Sequence, residues 1–378
     1  MSEPLLILGA SVRAAAFSAQ RAGFDPVCAD QFADTDLSSR FPTTKIQQYP
    51  EGLVDAAAKA PPAGWIYTGG LENYPKLVDR IAADRTLYGN SGSILSRVRD
   101  PKRFASALAR GGLPFPAVNT SGAGLPRDGS WLRKHRGSCG GMKVQIWDPR
   151  TTAPREDPDW YFQQRIHGRD CSAVYVSAGG QAILLGVTFQ LVGTDWTGAK
   201  GFLYCGSMGP APLDSPVRST FEQIGNQLGY EFGLLGLFGV DAVLAEGTVW
   251  PVEINPRYPA SVEVLERTLG LRTIELHVDA CRRGKLPEAV AHESRRWAGK
   301  AILYTRKQAT ISQGFLQRVT AENQATAWPN VADLPTLGDT FEPGRPVTTV
   351  LAEADSREEL EKALQERIAR LDTALYEK

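Results

Sequence analysis

No uninterrupted apolar run in the 378 residues approaches the length of about 20 needed to cross a bilayer. The amino terminus, Met-Ser-Glu-Pro followed at once by Leu-Leu-Ile-Leu, lacks the basic leader and small-residue cleavage site of a secretory signal. A soluble, cytoplasmic protein with no membrane partner is expected. Lysine plus arginine and aspartate plus glutamate number 42 each. No global basic field therefore points to nucleic acid, and partners are expected to be small molecules met locally. The five cysteines (Cys28, Cys139, Cys171, Cys205 and Cys281) are odd in number and never at metal-ligand spacing. They read as reduced, mostly buried thiols. Internal repeats and low-complexity segments are also missing.

What is present begins with a βαβ pattern. Residues 5–9, Leu-Leu-Ile-Leu-Gly, are a short apolar run of the kind found in buried parallel strands. Residues 14–22 are alanine-rich and helical up to Gly23, and residues 26–30 read as a second strand. The Gly-x-Gly-x-x-Gly of a dinucleotide site is not there: only Gly9 is in place, and Arg13 stands where the turn wants a small residue. A helix start carrying an arginine suits a carboxylate or phosphate of another ligand, which makes Arg13 a substrate candidate. Residues 64–73 run as a strand into a glycine pair and then Glu72-Asn73. In an open α/β sheet ligands sit at the carboxyl ends of strands, so Glu72 and Asn73 are substrate candidates too; a turn followed by a helix cap is the other reading.

Residues 96–112 read as a helix with Asp100 as its cap, Pro101 in its first position and glycine after its end. Lys102 in the first turn opposes the helix dipole and is better explained by a nearby anion. A short strand, residues 131–134, leads into a basic, glycine-rich stretch containing Gly137, Ser138, Gly140 and Gly141. Lys134 beside free backbone N–H groups is what a phosphate cradle uses; the spacing is not that of a P-loop, and a plain hairpin loop is the alternative. Residues 161–172 offer extended main chain for a purine edge around Gln164, Arg165 and Ile166, with Asp170 for a ribose hydroxyl; His167 reads equally as a turn residue. Strands at residues 173–176, 182–190 and 202–206 make an antiparallel middle, followed by a helix at 216–228 that Gly229 is placed to end. Later come a helix at 271–283, with His277 packed or solvated, strands at 301–304 and 347–352, and a charged helix from 356 to about 376.

The densest chemistry lies at residues 239–259. Two β-branched, apolar runs flank Glu246-Gly247, the composition of a hairpin. Glu253 and Asn255, two residues apart on a strand, share a face. Asp241 joins them if it opposes Glu253, which needs an odd-length connection or a bulge that supplies one extra residue. Carboxylate and carboxamide oxygens suit Mg²⁺ that completes its shell from phosphate, and Arg257 adds a fixed cation. Pro251 and Pro256 bracket the set and point to an edge or irregular strand. A hairpin with a polar solvated face is the plainer alternative.

In their order, these features resemble the ATP-grasp superfamily of carboxylate ligases. The carriers are an α/β opening, a lysine-bearing helix, a lysine and glycine-rich loop, a Gln-x-x-x-Gly hinge and an Asp…Glu-x-Asn-x-Arg hairpin, of which Val-Glu-Ile-Asn-Pro-Arg is the most specific part. Gly70-Leu71-Glu72-Asn73 is similar to a sequence of carboligases related to biotin carboxylase. The resemblance implies an α/β and α+β fold: a Rossmann-like substrate domain (1–95), a small ATP-grasp subdomain forming the ATP lid (96–170), a large subdomain with the Mg site (171–295), and a β-rich carboxyl-terminal subdomain with a terminal helix (296–378). It further implies ATP, its phosphates met by Lys102 and Lys134 under the 137–141 loop and its adenine by residues 164–166. One or two Mg²⁺, or Mn²⁺ in its place, would be held by Asp241, Glu253 and Asn255, with Arg257 and Lys134 in catalytic roles. The implied reaction joins a small-molecule carboxylate to an amine through an acylphosphate, with homodimerisation as the family's habit. Bicarbonate activation, as in biotin or ribotide carboxylases, and a non-catalytic ATP-binding module are the alternatives. The chain departs from the family in having Gln164 where an acid is common, Asp241 in place of a frequent glutamate, and no biotin-carrier lysine motif.

Overall fold

The computed structural model describes residues 2–151, 158–288, 290, 294–323 and 328–377. The apolar run near the amino terminus forms the strand Glu3–Gly9, with Leu5 to Leu8 at most 1% exposed. It pairs in parallel with Phe24–Asp30 on one side and Gly64–Tyr67 on the other, and Thr43–Lys45 extends the sheet beyond Phe24–Asp30. The alanines of the helix Arg13–Arg21 pack on this sheet because small side chains let helix and strand approach closely.

The turn after the first strand is filled from within. Asp30 Oδ2 accepts the Val12 N–H at 2.6 Å, and Oδ1 accepts those of Phe32 and Ala33 at 2.7 Å each. A carboxylate of the protein thus holds an amide that a dinucleotide pyrophosphate would need. A Cβ at Gly9 would collide with Thr68 Oγ1, whose hydroxyl donates to the Ser11 carbonyl at 2.9 Å. This agrees with the missing glycine fingerprint.

Two antiparallel sheets follow. The smaller contains, in order, Val118–Asn119, Trp160–Gln164, Trp131–His135 and Val144–Ile146. The larger has eight strands in the order Thr248–Asn255, Gly236–Ala245, Arg169–Ala178, Gln181–Val192, Tyr204–Gly209, Trp297–Tyr304, Pro346–Ala354 and Val331–Ala332. The carboxyl-terminal strands therefore continue the central sheet, so residue 295 is not a sheet boundary. The helix Ser215–Phe232 covers one half of this sheet through Phe221, Ile224 and Leu228. The helix Arg357–Tyr376, capped by Ser356, covers the other through Leu360, Leu364, Ile368 and Leu371.

Some element bounds differ from the sequence reading for physical reasons. The stretch 96–112 is two helices, Gly92–Val98 and Pro101–Arg110, separated at Arg99-Asp100; the Asp100 carboxylate accepts the Lys102 and Arg103 N–H groups, as its cap role requires. Gly229 does not end its helix. It sits inside, where a Cβ would stand 3.0 Å from Ser177 Oγ and 3.4 Å from Ala182 Cβ, and termination passes to Gly233 at φ +64°. His277 is packed: Nδ1 accepts the Leu237 N–H at 2.7 Å and Nε2 faces the Tyr88 carbonyl at 3.0 Å, and burial lowers its pKa to about 4.

Candidate active site

The hairpin of residues 236–255 turns at Glu246 and Gly247, which take φ +49° and +76°, the pair of left-handed residues that a two-residue turn compatible with strand twist needs. Register then breaks. Asp241 pairs with Glu253 but Ala242 pairs with Pro251, so Val252 is an extra residue on the second strand. This bulge brings Asp241 opposite Glu253, and because Thr248–Asn255 is the sheet's edge, Pro251 costs no ladder partner. The Val252 carbonyl, out of the ladder, receives Lys134 Nζ at 3.3 Å and Gln163 Nε2 at 3.4 Å from the small sheet. The irregularity that aligns the carboxylates also joins the two sheets.

Around it runs a continuous polar chain. Asp241 Oδ2 accepts from Asn255 Nδ2 at 2.9 Å and Oδ1 from Gln190 Nε2 at 3.0 Å. Asn255 Oδ1 accepts from Arg257 Nη2 at 2.9 Å, and Arg257 donates through Nε and Nη2 to Glu72 Oε1 at 3.1 Å each. Arg99 Nη2 lies 3.4 Å from the same Glu72 oxygen, and Arg99 Nη1 donates to Glu253 Oε1 at 2.8 Å. Burial, and then the negative charge of Glu253 opposite, push the Asp241 carboxyl up to about 6. Burial works against the Glu72 carboxylate, yet Arg257 and Arg99 hold it below the usual range. Lys134 is 8% exposed; burial disfavours its charge, but Tyr161, Glu253 and Asp241 outweigh that and raise its pKa.

The cleft between the two sheets has a volume of about 370 Å³. Of the residues singled out from sequence, Lys134, Gly140, Gly141, Gln164, Arg165, Ile166, Asp170, Asp241, Glu253, Asn255 and Arg257 line it. The glycine loop leans across to the large sheet: Tyr204 N–H donates to the Gly140 carbonyl at 3.1 Å, and a Cβ at Gly141, at φ +76°, would collide with the Phe202 carbonyl oxygen. Ser138 lines an adjoining recess beside Arg99 and Lys134, and the Gly137 N–H is taken by His135 Nδ1 at 3.0 Å. In the hinge the Gln164 and Arg165 N–H groups go to the Ala117 and Ser130 carbonyls at 2.8 Å each. Burial raises the Asp170 pKa. Glu72 is fully buried behind Arg257, and Asn73 Oδ1 beside it is buried with no hydrogen-bond partner among the described residues.

Two expectations are corrected. Lys102 is exposed and lines a separate groove with Arg97, Arg103 and Glu231, because the cap at Asp100 directs the first turn outward. Arg13 is 2% exposed and committed to an ion cluster: it pairs with Glu263, with Asp333 at 2.9 Å and with Asp36 at 3.9 Å, while Lys300 Nζ adds to Glu263 at 3.3 Å. Its charge ties the amino-terminal sheet to the carboxyl-terminal strands and is not free for a ligand. The sequence reading missed Arg99, Gln163 and Gln190. Gln190 and Gln163 look like ordinary strand residues until register is known. Arg99 could have been suspected from its place one residue before Asp100, where the proline at 101 forces the chain out of helical geometry.

Mg²⁺ suits this donor set. Among the described residues no group of three or more histidine, cysteine or acidic side chains gathers for a metal. The site offers two facing carboxylates and one carboxamide, hard oxygens too few to fill a shell alone, as expected of Mg²⁺ that relies on phosphate and water. Burial first, and then the facing Glu253, raise the Asp241 pKa to about 6, and a cation between the two carboxylates would offset both.

Residues 98–261 match the ATP-grasp domain. The carbamoyl phosphate synthase large chain of Thermoplasma volcanium is 22% identical over 255 residues, 62% of this chain, and this chain spans only 23% of that protein's length. The crystal structure of an L-amino acid ligase from Bacillus licheniformis superposes with a TM-score of 0.72 at 16% identity, covering 97% of each chain. N5-carboxyaminoimidazole ribonucleotide synthetase from Thermus thermophilus gives 0.69 at 16% identity over 99% of each. The biotin carboxylase domain of Hydrogenobacter thermophilus 2-oxoglutarate carboxylase, solved with MgADP, ADP and bicarbonate, gives 0.71 at 12% identity over 99% of this chain and 94% of its own. The fold of the chain is thus that of ATP-grasp proteins.

Proposed function

We propose that this chain, whose residues 98–261 match the ATP-grasp domain, is an ADP-forming ligase that activates a small-molecule carboxylate as an acylphosphate and joins it to an amine. The observation that carries the reading is the bulge that sets Asp241 opposite Glu253 on the floor of the intersheet cleft, with Lys134 and Arg257 at its sides. ATP occupies that cleft in this reading. The glycine loop at 137–141 covers its phosphates, and Gln164, Arg165, Ile166 and Asp170 face its adenosine end. Asp241, Glu253 and Asn255 would hold one or two Mg²⁺, which would supply charge neutralisation at the phosphates; the Asn255 oxygen now accepts from Arg257.

The residues of the chain do the rest by position and charge. Lys134, held by the Val252 carbonyl and Gln163, keeps a fixed cation on the cleft wall for the phosphoryl group. Arg257, anchored by Glu72, holds its guanidinium beside Asn255 where negative charge builds on the transferring group. The substrate carboxylate attacks the γ-phosphorus, ADP leaves, and the amine then attacks the acyl carbon and expels phosphate. Catalysis by alignment rather than by a protein nucleophile is in keeping with four histidines in the whole chain. Glu72 and Asn73, at the carboxyl end of Gly64–Tyr67, mark the side from which the substrates reach Arg257. Bicarbonate as the activated acid is the second reading, favoured by the fold shared with ribotide synthetases and a biotin carboxylase.

Screening amino acids, other carboxylates and bicarbonate, singly and in pairs with amines, for stimulated phosphate release tests the proposal. A pair that raises release and yields an amide supports it; stimulation by bicarbonate alone favours the second reading, and no stimulation by any acid counts against both.

A further inference from the structure

Arg99 is the residue that the ligase reading leaves without a task. It caps the helix Gly92–Val98 and sends its side chain, 15% exposed, into the polar chain of the cleft. Nη1 donates to Glu253 Oε1 at 2.8 Å, and Nη2 lies 3.4 Å from Glu72 Oε1. Glu253 is one of the two carboxylates the cation site offers, so a carboxylate that a metal would use is already paired, through Oε1, with a protein cation. A guanidinium and a divalent cation on one carboxylate repel each other.

The same region holds a ready alternative for Arg99. Among the described residues its Nε and Nη2 have no hydrogen-bond partner, and neither has Oε2 of Glu72, a side chain with no exposed surface. Glu72 Oε1 carries both Arg257 bonds. Its second oxygen is a buried acceptor, costly to leave unmade, on the same carboxylate whose Oε1 lies 3.4 Å from Arg99 Nη2, one of the two unpartnered donor atoms of that guanidinium.

We infer that Arg99 is a stand-in cation that neutralises Glu253 in the metal-free site and transfers to Glu72 when a divalent cation arrives. Arg257 and Arg99 then take one oxygen of Glu72 each. Metal capture at the hairpin is thereby coupled to the ion pairing of Glu72 in the amino-terminal domain, on the substrate side of the site. Arg99 acts here as a positioning residue; it touches no reacting atom. The inference rests on the metal reading of Asp241 and Glu253 and adds a competitor for one of the ligands.

The test is Mn²⁺ binding to the nucleotide-free protein, read from the loss of the free-ion paramagnetic resonance signal. Arg99→Met should bind Mn²⁺ about tenfold more tightly than the unchanged protein, while Arg99→Lys, which keeps the charge, should stay within about twofold of it. The gain should vanish when Glu253→Gln is added to Arg99→Met. Equal or weaker binding by Arg99→Met, with the protein folded by circular dichroism, overturns the role of Arg99 and leaves the metal site standing. If neither protein takes up Mn²⁺, with or without ATP, the metal site itself fails and the inference falls with it.

Discussion

Asp241 stands opposite Glu253 because one residue, Val252, is surplus on the edge strand. Were the ladder regular back from the Glu246-Gly247 turn, Asp241 would oppose Val252, and Glu253 would point to the other face of the sheet. Asp241→Asn and Glu253→Gln are therefore each expected to lower turnover by at least about a hundredfold while leaving far-ultraviolet circular dichroism unchanged. Lys102→Ala, which alters only the outer groove, should leave turnover within about twofold. Steady-state ADP formation measures all three, and loss of activity with Lys102→Ala would contradict the outward placement of that side chain.

The proposed cation site should be sensitive to pH through Asp241. Its carboxyl titrates near 6 instead of 3.8, raised by burial and by Glu253. A proton and a metal compete for it, so divalent-cation affinity should be full above about pH 6 and fall about tenfold per pH unit below it. For stability the sign is opposite: the folded state binds this proton more tightly than the unfolded state does, so stabilisation from Asp241 is present at low pH and is lost as pH rises from about 4 to about 6. Calorimetric titration with Mn²⁺ between pH 5 and 8 checks the first part, and comparing unfolding of the unchanged protein with Asp241→Asn checks the second.

Arg13→Ala should act on stability. Removing the guanidinium leaves the buried Glu263 with Lys300 alone and the half-buried Asp333 short of a partner, a change that costs about 3–5 kcal/mol. Chemical denaturation would register this as a lower midpoint. An altered KM for one substrate with unchanged stability would instead restore the anion-binding role that its place at the helix start suggests.

Gly141→Ala should impair the loop, since the added methyl meets the Phe202 carbonyl and the residue takes φ +76°. A raised KM for ATP in kinetic titration is the expected outcome, with an unfolding free energy lowered by about 1–3 kcal/mol in chemical denaturation.

Much of this site is legible in the sequence because strand alternation and turn chemistry are local rules. Glu253 and Asn255 share a face by spacing alone, Glu246-Gly247 announces the turn, and counting residues shows that Asp241 opposes Glu253 only with an odd-length connection or a bulge. What sequence does not carry is the direction of side chains fixed by distant packing. Lys102 and Arg99 lie three residues apart on one basic stretch, yet a cap and a proline turn the first outward and leave the second inside. Arg13 is claimed by carboxylates 250 and 320 residues away in the chain. Gly229 has the local form of a helix stop, but close packing on Ser177 and Ala182 makes it a spacer. In each case tertiary contact overrides a local preference.

Transfer of the γ-phosphoryl group of ATP to a carboxylate in this cleft is tested most directly by following ATP with ³¹P nuclear magnetic resonance, with a mixture of carboxylates and amines present. ADP and inorganic phosphate should accumulate together in the presence of Mg²⁺, and both should disappear with Asp241→Asn. Accumulation of AMP and pyrophosphate, or ADP formation that survives Asp241→Asn, would contradict it.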